Sequence, residues 1–157
     1  MSISSNFENI LITLNKCNVD YMIAGGYAVN FHGYNRSTSD LDLLLKPSND
    51  NKEKLCLALK KLKFAENGIE QVRKIDFETP FSFIIGNDPI DVDVFNFITG
   101  VKYEEAEKNA IDYEYSEKLI VKYISLRDLI VNKMLTNRSK DMLDVEQLQR
   151  IEKLKKK

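Results

Sequence analysis

Apolar and polar positions along the chain follow two different periods, which predicts a mixture of helices and strands. Near the start, apolar residues recur at helical spacing, and Ser5 with Glu8 forms a capping box that predicts the first helix. Another helix is predicted after Ser48, whose hydroxyl can cap a stretch with leucines at helical spacing. Ser125 and Asp128 open a helix that runs to about residue 135, and a last helix begins near residue 140.

Short apolar or alternating runs predict the strands. They are residues 21–24, 40–45, 81–85 and 90–95. The last two runs pair as a hairpin across a turn at 86–89, and residues 110–123 predict a second hairpin that turns around residues 116 and 117. Residues 64–80 are weakly patterned and predict a strand followed by a mobile connection.

Composition narrows the class of protein without selecting a function. The chain has 157 residues and a formal net charge of −1, and it carries no repeat or Pro/Gly linker, so we expect one domain over residues 1–157. The sequence has no apolar run of membrane-spanning length and no signal-peptide pattern, which favours a cytoplasmic location. Cys17 and Cys56 lack metal-type spacing and are expected to be reduced thiols.

A glycine pair gives the first chemical clue. Residues 21–24 form a buried strand, and Gly25 with Gly26 lets the backbone turn sharply into a helix over residues 27–32, which Gly33 can end. Free N–H groups at such a helix start favour a bound phosphate, and a residue without a side chain lets that phosphate approach closely.

Three acids give the second clue. Alternation along residues 40–45 places Asp40 and Asp42 on one face, roughly 6 to 7 Å apart at the backbone. The hairpin carries a third acid onto the same sheet, either Asp93 or, less favoured, Asp91. Two like charges about 5 Å apart repel by roughly 3 kcal/mol at an effective dielectric constant near 20, so such a cluster needs a cation or raised pKa values. Of these two ways to relieve the repulsion, a bound Mg²⁺ ion is the simpler.

The predicted C-terminal helices carry charges on otherwise apolar stripes. Lys133 shares a face with three aliphatic residues, and Asp141 and Asp144 share a face of the next helix. An unpaired buried charge costs several kcal/mol, so these groups are expected to pair with each other or to meet a charged ligand. His32, at the predicted end of a helix, is better explained by packing or a dipole contact than by metal binding.

Taken together, these motifs resemble the polymerase-beta-like nucleotidyltransferase superfamily, close to its minimal and AbiEii-type toxin members. The resemblance covers most of residues 6–150. The matching residues are Gly25, Gly26, Arg36, Thr38, Asp40, Asp42, Asp93, Lys133, Arg138, Lys140, Asp141 and Asp144. It implies an α+β fold, with a mixed, mainly antiparallel sheet flanked by helices and the C-terminal helices, about residues 125–157, packed on it. One departure is that the third acid sits in an Asp91-Val92-Asp93 doublet rather than alone.

The resemblance also implies a reaction, the transfer of a nucleoside monophosphate from an NTP to an acceptor hydroxyl with release of pyrophosphate. Two Mg²⁺ or Mn²⁺ ions, roughly 3.5 to 4 Å apart, would be held by Asp40, Asp42 and Asp93, which are the expected catalytic residues. The expected nucleotide-binding residues are Gly25, Gly26, Arg36, Thr38 and Lys133. For Lys133, a structural ion pair is an equal alternative, and for Asp141 and Asp144 it is the favoured one.

The sequence does not decide which molecule accepts the nucleoside monophosphate. An RNA end, such as the tRNA acceptor stem, leads slightly because the C-terminal pattern resembles the toxin branch, which also implies a cognate antitoxin as partner. The alternative acceptors are a small molecule, such as an antibiotic, and the hydroxyl group of a protein. Outside this class, the candidates are a glycosyltransferase, whose Asp-x-Asp motif also binds metal, and a catalytically silent nucleotide-binding or interaction module.

Overall fold

Helices and strands are interspersed along the chain in the computed structural model, which describes residues 3–86 and 91–156. The helices are, in chain order, α1 (Ser5–Lys16), α2 (Gly25–Phe31), α3 (Asn49–Lys61), α4 (Glu66–Arg73), α5 (Tyr103–Asn109), α6 (Leu126–Thr136) and α7 (Ser139–Lys155). The strands are β1 (Tyr21–Ala24), β2 (Leu41–Leu45), β3 (Ser82–Ile85), β4 (Val92–Phe95), β5 (Ile111–Ser116) and β6 (Leu119–Tyr123).

The described strands form one six-stranded sheet in the order β3-β4-β2-β1-β6-β5. Neighbours β1 and β2, β3 and β4, and β5 and β6 pair antiparallel, whereas β2 with β4 and β1 with β6 pair parallel. This confirms the expected α+β fold with a mixed, mainly antiparallel sheet. The parallel pairing of β2 with β4 is the feature that matters for the site, because it places two strands that are distant in sequence side by side.

The middle of the sheet forms the centre of the core. All four residues of β1 are buried, and so is every residue of β2 except Asp42. Full burial of a Leu or Ile side chain stabilises the fold by about 1.5 to 3 kcal/mol, so these strands are firmly fixed. A rigid, otherwise buried strand therefore presents the half-buried Asp42 carboxylate.

Two sequence-based expectations need correction. The cap of α1 is Ser4 rather than Ser5, since the Ser4 hydroxyl accepts the Phe7 N–H at 3.4 Å. Residues 64–80 contain helix α4 and no strand, because Ile69 and Val72, three positions apart, are the buried residues of a short amphipathic helix. Eight residues are too few for that period to be evident from sequence alone.

The other predicted elements are present. Ser48 caps α3 and Ser125 caps α6, each accepting a backbone N–H from three residues ahead. The antiparallel pairings of β3 with β4 and of β5 with β6 confirm both predicted hairpins. Residues 87–89 of the predicted turn lie outside the described residues.

Candidate active site

Asp42 and Asp93 occupy directly paired positions of the neighbouring parallel strands β2 and β4. Burial, a side-chain hydrogen bond with Asp93 and the negative charges of Asp93 and Asp40 raise the pKa of Asp42 to about 7, although the positive charge of Lys133 opposes the shift. Adjacent strands are about 4.8 Å apart, which explains why the two carboxyl groups interact so strongly. The pair therefore needs a shared proton or a bound cation.

Asp40 lies just before β2, is exposed, and lines the same cavity of about 510 Å³ as Asp42 and Asp93. Its carboxylate accepts a hydrogen bond from the Ser39 hydroxyl at 3.3 Å. Asp91 is not among the residues lining this cavity, and its backbone carbonyl accepts the Leu41 N–H at 3.3 Å. Of the two candidates for the third acid, Asp93 is thus the one beside Asp42.

The acids fit a hard divalent cation by their chemistry. Carboxylate oxygens are the ligands that Mg²⁺ and Mn²⁺ prefer, and burial together with the neighbouring acids Asp93 and Asp40 raises the pKa of Asp42. Within residues 3–86 and 91–156, however, no three His, Cys, Asp or Glu side chains stand together in a metal-ligating arrangement. The structure therefore brings Asp42 and Asp93 into contact and leaves Asp40 at the edge of the same cavity.

The glycine pair lies directly against this acid pair. Gly25 and Gly26 are the first residues of α2, and Gly25 has a φ of +61°. A Cβ at Gly25 would overlap the Asp42 carboxylate, and a Cβ at Gly26 would overlap the Thr38 hydroxyl. Sequence reasoning attributed the glycines to phosphate approach. The structure adds that they also make room for two predicted site residues.

A buried ion-pair network joins the C-terminal helices. The Lys133 ammonium, 7% exposed, lies 3.1 Å from Asp141 Oδ1 and 2.9 Å from Asp144 Oδ2, and both carboxylates are 1% exposed. This pairing was one of the two alternatives that the sequence left open for Lys133. Lys133 also lines a cavity of about 300 Å³ beside Asp42, so the ion pair borders the site.

Arg36 connects this network to the loop that carries Thr38 and Asp40. Its Nε and Nη2 donate to the two oxygens of Asp144 at 2.8 and 3.0 Å, a two-pronged arrangement, and its Nη1 donates to the Ser37 carbonyl at 3.0 Å. Asp144 thus holds Arg36 and Lys133 at once. Thr38 lies next to Gly26 and lines the larger cavity.

Arg138 and Lys140 match the family pattern without a role assigned from the sequence, and both line the larger cavity. Arg138 also contacts Asp141. Its Nε donates to Asp141 Oδ2 at 2.6 Å, and the Thr136 hydroxyl donates to the same oxygen at 2.8 Å. Burial alone would raise the pKa of Asp141, but hydrogen bonds from Arg138, Thr136 and Lys133 outweigh it and lower the pKa to about 2. The three-residue spacing of Arg138 and Asp141 was the available signal for this contact.

The two cavities meet at Asp42 and Arg138, which line both of them. The larger cavity is bordered by the acids and by polar loop residues of 37–39. The smaller one is lined by apolar side chains that include Phe95, Phe97 and Leu129, together with polar and charged ones. A ligand with a charged and an apolar part could therefore extend from one cavity into the other past this junction.

His32 takes no part in this arrangement. It is 3% exposed, its Nε2 lies 2.8 Å from the Ile124 carbonyl oxygen, and it lines neither of the two cavities. This agrees with the packing explanation given by the sequence. Each described helix is also too short or too polar to cross a lipid bilayer.

The mixed sheet, with an acid pair on β2 and β4 beside a helix that begins with two glycines, has the same fold as known nucleotidyltransferase structures. Two solved structures share the fold: a crystal structure of ANT(2'')-Ia in complex with adenylyl-2''-tobramycin, and a solution structure of the antibiotic-resistance factor ANT(2'')-Ia. The first has a TM-score of 0.57 and 15% identity over 96% of this chain and 92% of that one. The second has a TM-score of 0.55 and 15% identity over 94% and 86%.

Sequence comparison identifies the family. The family model "Nucleotidyl transferase AbiEii toxin, Type IV TA system" matches residues 17–157, so the chain belongs to the AbiEii nucleotidyl transferase toxin family. No curated protein sequence matches this chain. The family assignment confirms the resemblance that the glycine pair, the three acids and the C-terminal motif indicated.

Proposed function

We propose that this protein transfers a nucleoside monophosphate from an NTP to an acceptor hydroxyl and releases pyrophosphate. The observation that carries the proposal is the Asp42–Asp93 pair, which lies open to a polar cavity beside Gly25 and Gly26. Membership of a nucleotidyl transferase family supports it.

Asp40, Asp42 and Asp93 are the proposed metal ligands. Mg²⁺ or Mn²⁺ bound there would neutralise phosphate charge and lower the pKa of the attacking hydroxyl. Two observations support this assignment. All three residues offer only oxygen atoms as ligands, and the negative charges of Asp93 and Asp40 act on Asp42.

The remaining proposed residues position the nucleotide. Gly25 and Gly26 place the start of α2 beside Asp42, where its backbone N–H groups are proposed to bind phosphate, and Thr38 lines the same cavity as the acids. Arg36, in the loop before β2, and Lys133, in α6, both pair with Asp144. They are proposed to hold that loop and α6 in place around the nucleotide and to add positive charge near its phosphates.

The chemical step is an in-line displacement at the α-phosphorus. The acceptor oxygen forms a bond to that phosphorus, the bond to the bridging α–β oxygen breaks, and pyrophosphate leaves with the electron pair. The proton of the acceptor hydroxyl passes to a carboxylate oxygen of Asp93, which is half-buried and borders the cavity. The acid pair is therefore proposed both to bind the metal and, through Asp93, to accept the proton.

We propose an RNA acceptor, such as a tRNA end, and a cognate antitoxin as regulatory partner, because the family is one of type IV toxin–antitoxin systems. A small-molecule acceptor is the second candidate. It is supported by the fold match to ANT(2'')-Ia over 96% of this chain, since ANT(2'')-Ia was crystallised in complex with adenylyl-2''-tobramycin.

The test is incubation of α-labelled NTPs and Mg²⁺ with total RNA, lysate protein and an aminoglycoside panel. Wild type is expected to label one acceptor class, and Asp42→Asn and Asp93→Asn are expected to lower the rate by roughly 100-fold or more. Asp112→Asn, which changes an exposed aspartate on β5, is the matched control and should keep the wild-type rate.

Full transfer by Asp42→Asn would overturn the proposed mechanism. Absence of labelling by wild type in all three acceptor classes, together with no nucleotide binding by calorimetry, would instead identify a silent interaction module. Labelling of the aminoglycosides alone would select the second candidate.

A further inference from the structure

Arg138 and Lys133 are both cations next to Asp141, but their surroundings differ. Lys133 contacts two carboxylates and its side chain is 7% exposed, so its charge is already matched. The Arg138 side chain is 74% exposed although Asp141 holds it. Of these two neighbours, Arg138 is the one whose side chain is largely open to a ligand.

The hydrogen bonds of Arg138 fix one edge of its guanidinium group. Nε and Nη2 point to Asp141 at 2.6 and 3.4 Å, and within the described part of the chain Nη1 has no hydrogen-bond acceptor. Asp141 is itself anchored by Lys133 at 3.1 Å and by Thr136 at 2.8 Å. The guanidinium group of Arg138 is therefore held in one orientation by Asp141, and it keeps N–H donors that its contacts with Asp141 do not use.

The charges around the junction of the two cavities are of opposite sign on its two sides. On one side, the ion-pair network joins three cations, Arg36 of the loop before β2, Lys133 and Arg138, to two carboxylates, Asp141 and Asp144, so it carries one excess positive charge. The sheet side carries the Asp42–Asp93 pair. A polyphosphate that brings its own divalent cation matches both sides at once.

We infer that Arg138 binds the phosphate chain of the nucleotide where the two cavities meet, opposite Asp42, while Asp141 positions its guanidinium group. This rests on the proposed function, since it specifies the polyphosphate site of that same reaction. Lys133 acts in this site through Asp141 and Asp144 rather than as the main phosphate contact.

The matched test compares Arg138→Gln with Arg150→Gln. Arg150 lies in α7, is 67% exposed, and pairs with Glu146 at 3.2 Å, but it borders neither cavity. Arg138→Gln is expected to raise KM for the NTP by roughly 10- to 100-fold with a smaller change in kcat, because it removes a charge-assisted hydrogen bond to the phosphate chain. Arg138→Lys should recover part of the loss, and Arg150→Gln should match wild type.

A binding experiment separates this inference from the transferase proposal. Calorimetry with inorganic tripolyphosphate and Mg²⁺ should show binding to wild type and to Arg150→Gln, and binding weakened by a similar factor in Arg138→Gln. Equal affinity in all three proteins, or no binding to wild type, would overturn the inference. Normal binding without transfer to any acceptor would overturn only the proposed function. Thermal unfolding of each variant identifies any loss that comes from misfolding.

Discussion

Asp144 in α7 accepts two hydrogen bonds from Arg36, at 2.8 and 3.0 Å, and so ties the C-terminal helix to the loop that leads into β2. That loop carries Thr38 and Asp40, and β2 carries Asp42. A single buried carboxylate therefore connects the last helix to the acids of the candidate active site.

Asp144→Asn should test this connection. It removes the charge that pairs with both Arg36 and Lys133, and breaking a buried ion pair costs about 3 to 5 kcal/mol. Because Lys133 still pairs with Asp141 in this variant, we expect the free energy of unfolding to fall by about 3 kcal/mol, the lower limit of that range. For a chain of this size, this corresponds to a fall of roughly 6 to 12 °C in Tm.

Glu146→Gln is the control for that variant, since Glu146 is exposed on the same helix and pairs with Arg150. Its Tm should stay within about 2 °C of wild type, as expected for a surface substitution. Equal Tm values for Asp144→Asn, Glu146→Gln and wild type would show that the buried network does not stabilise the fold.

Gly25→Ala should impair the site more than the fold. The new Cβ would overlap the Asp42 carboxylate, and the φ of +61° costs an L-residue about 1 to 2 kcal/mol. We expect the protein to fold with a lowered Tm and to lose most NTP-dependent transfer.

Gly68→Ala is the matched control for Gly25→Ala. Gly68 lies in helix α4 with open space around the added Cβ, so the substitution should raise stability by up to about 1 kcal/mol and leave transfer unchanged. If Gly25→Ala behaved like Gly68→Ala, the close approach of the glycine to Asp42 would have no functional role.

His32 should make the protein less stable in mild acid. Burial lowers the pKa of His32, and the nearby Ile124 carbonyl only partly offsets this. The unfolded chain therefore takes up a proton near pH 6.5 while the folded chain does not, and the free energy of unfolding falls as the pH drops below about 6.5.

The measurement for His32 is the difference between wild type and His32→Gln in the pH dependence of chemical denaturation. Asp42 acts in the opposite direction, because its raised folded pKa favours the folded state at low pH, and it contributes equally to both proteins. The slope attributed to His32 should disappear in the variant, and identical slopes would contradict the prediction.

Mg²⁺ with a non-hydrolysable NTP should stabilise the protein by mass action. At 100 times the dissociation constant the gain is about 2.7 kcal/mol, which corresponds to roughly 5 to 10 °C in Tm. Asp42→Asn should show a clearly smaller shift, whereas Asp112→Asn should show the full one. An unchanged wild-type Tm at millimolar Mg²⁺ and nucleotide would count against the proposed site.

Much of the fold could be predicted locally. Ser48 and Ser125 were recognised as helix caps because capping depends on residues only three positions apart. The alternation in residues 40–45 and 90–95 predicted β2 and β4 for the same reason. Helix α4 was missed because its eight residues carry only two buried apolar positions.

The sequence by itself determined most of the elements, though not α4, together with the candidate acids, the glycine pair and the family, since these depend on residue type and on spacing within one segment. Only the tertiary structure decided that Asp93 rather than Asp91 lies beside Asp42, that Asp144 holds both Arg36 and Lys133, and that Arg138 borders both cavities. Each of those contacts joins segments through strand register or helix packing, which depends on how the whole core fits together.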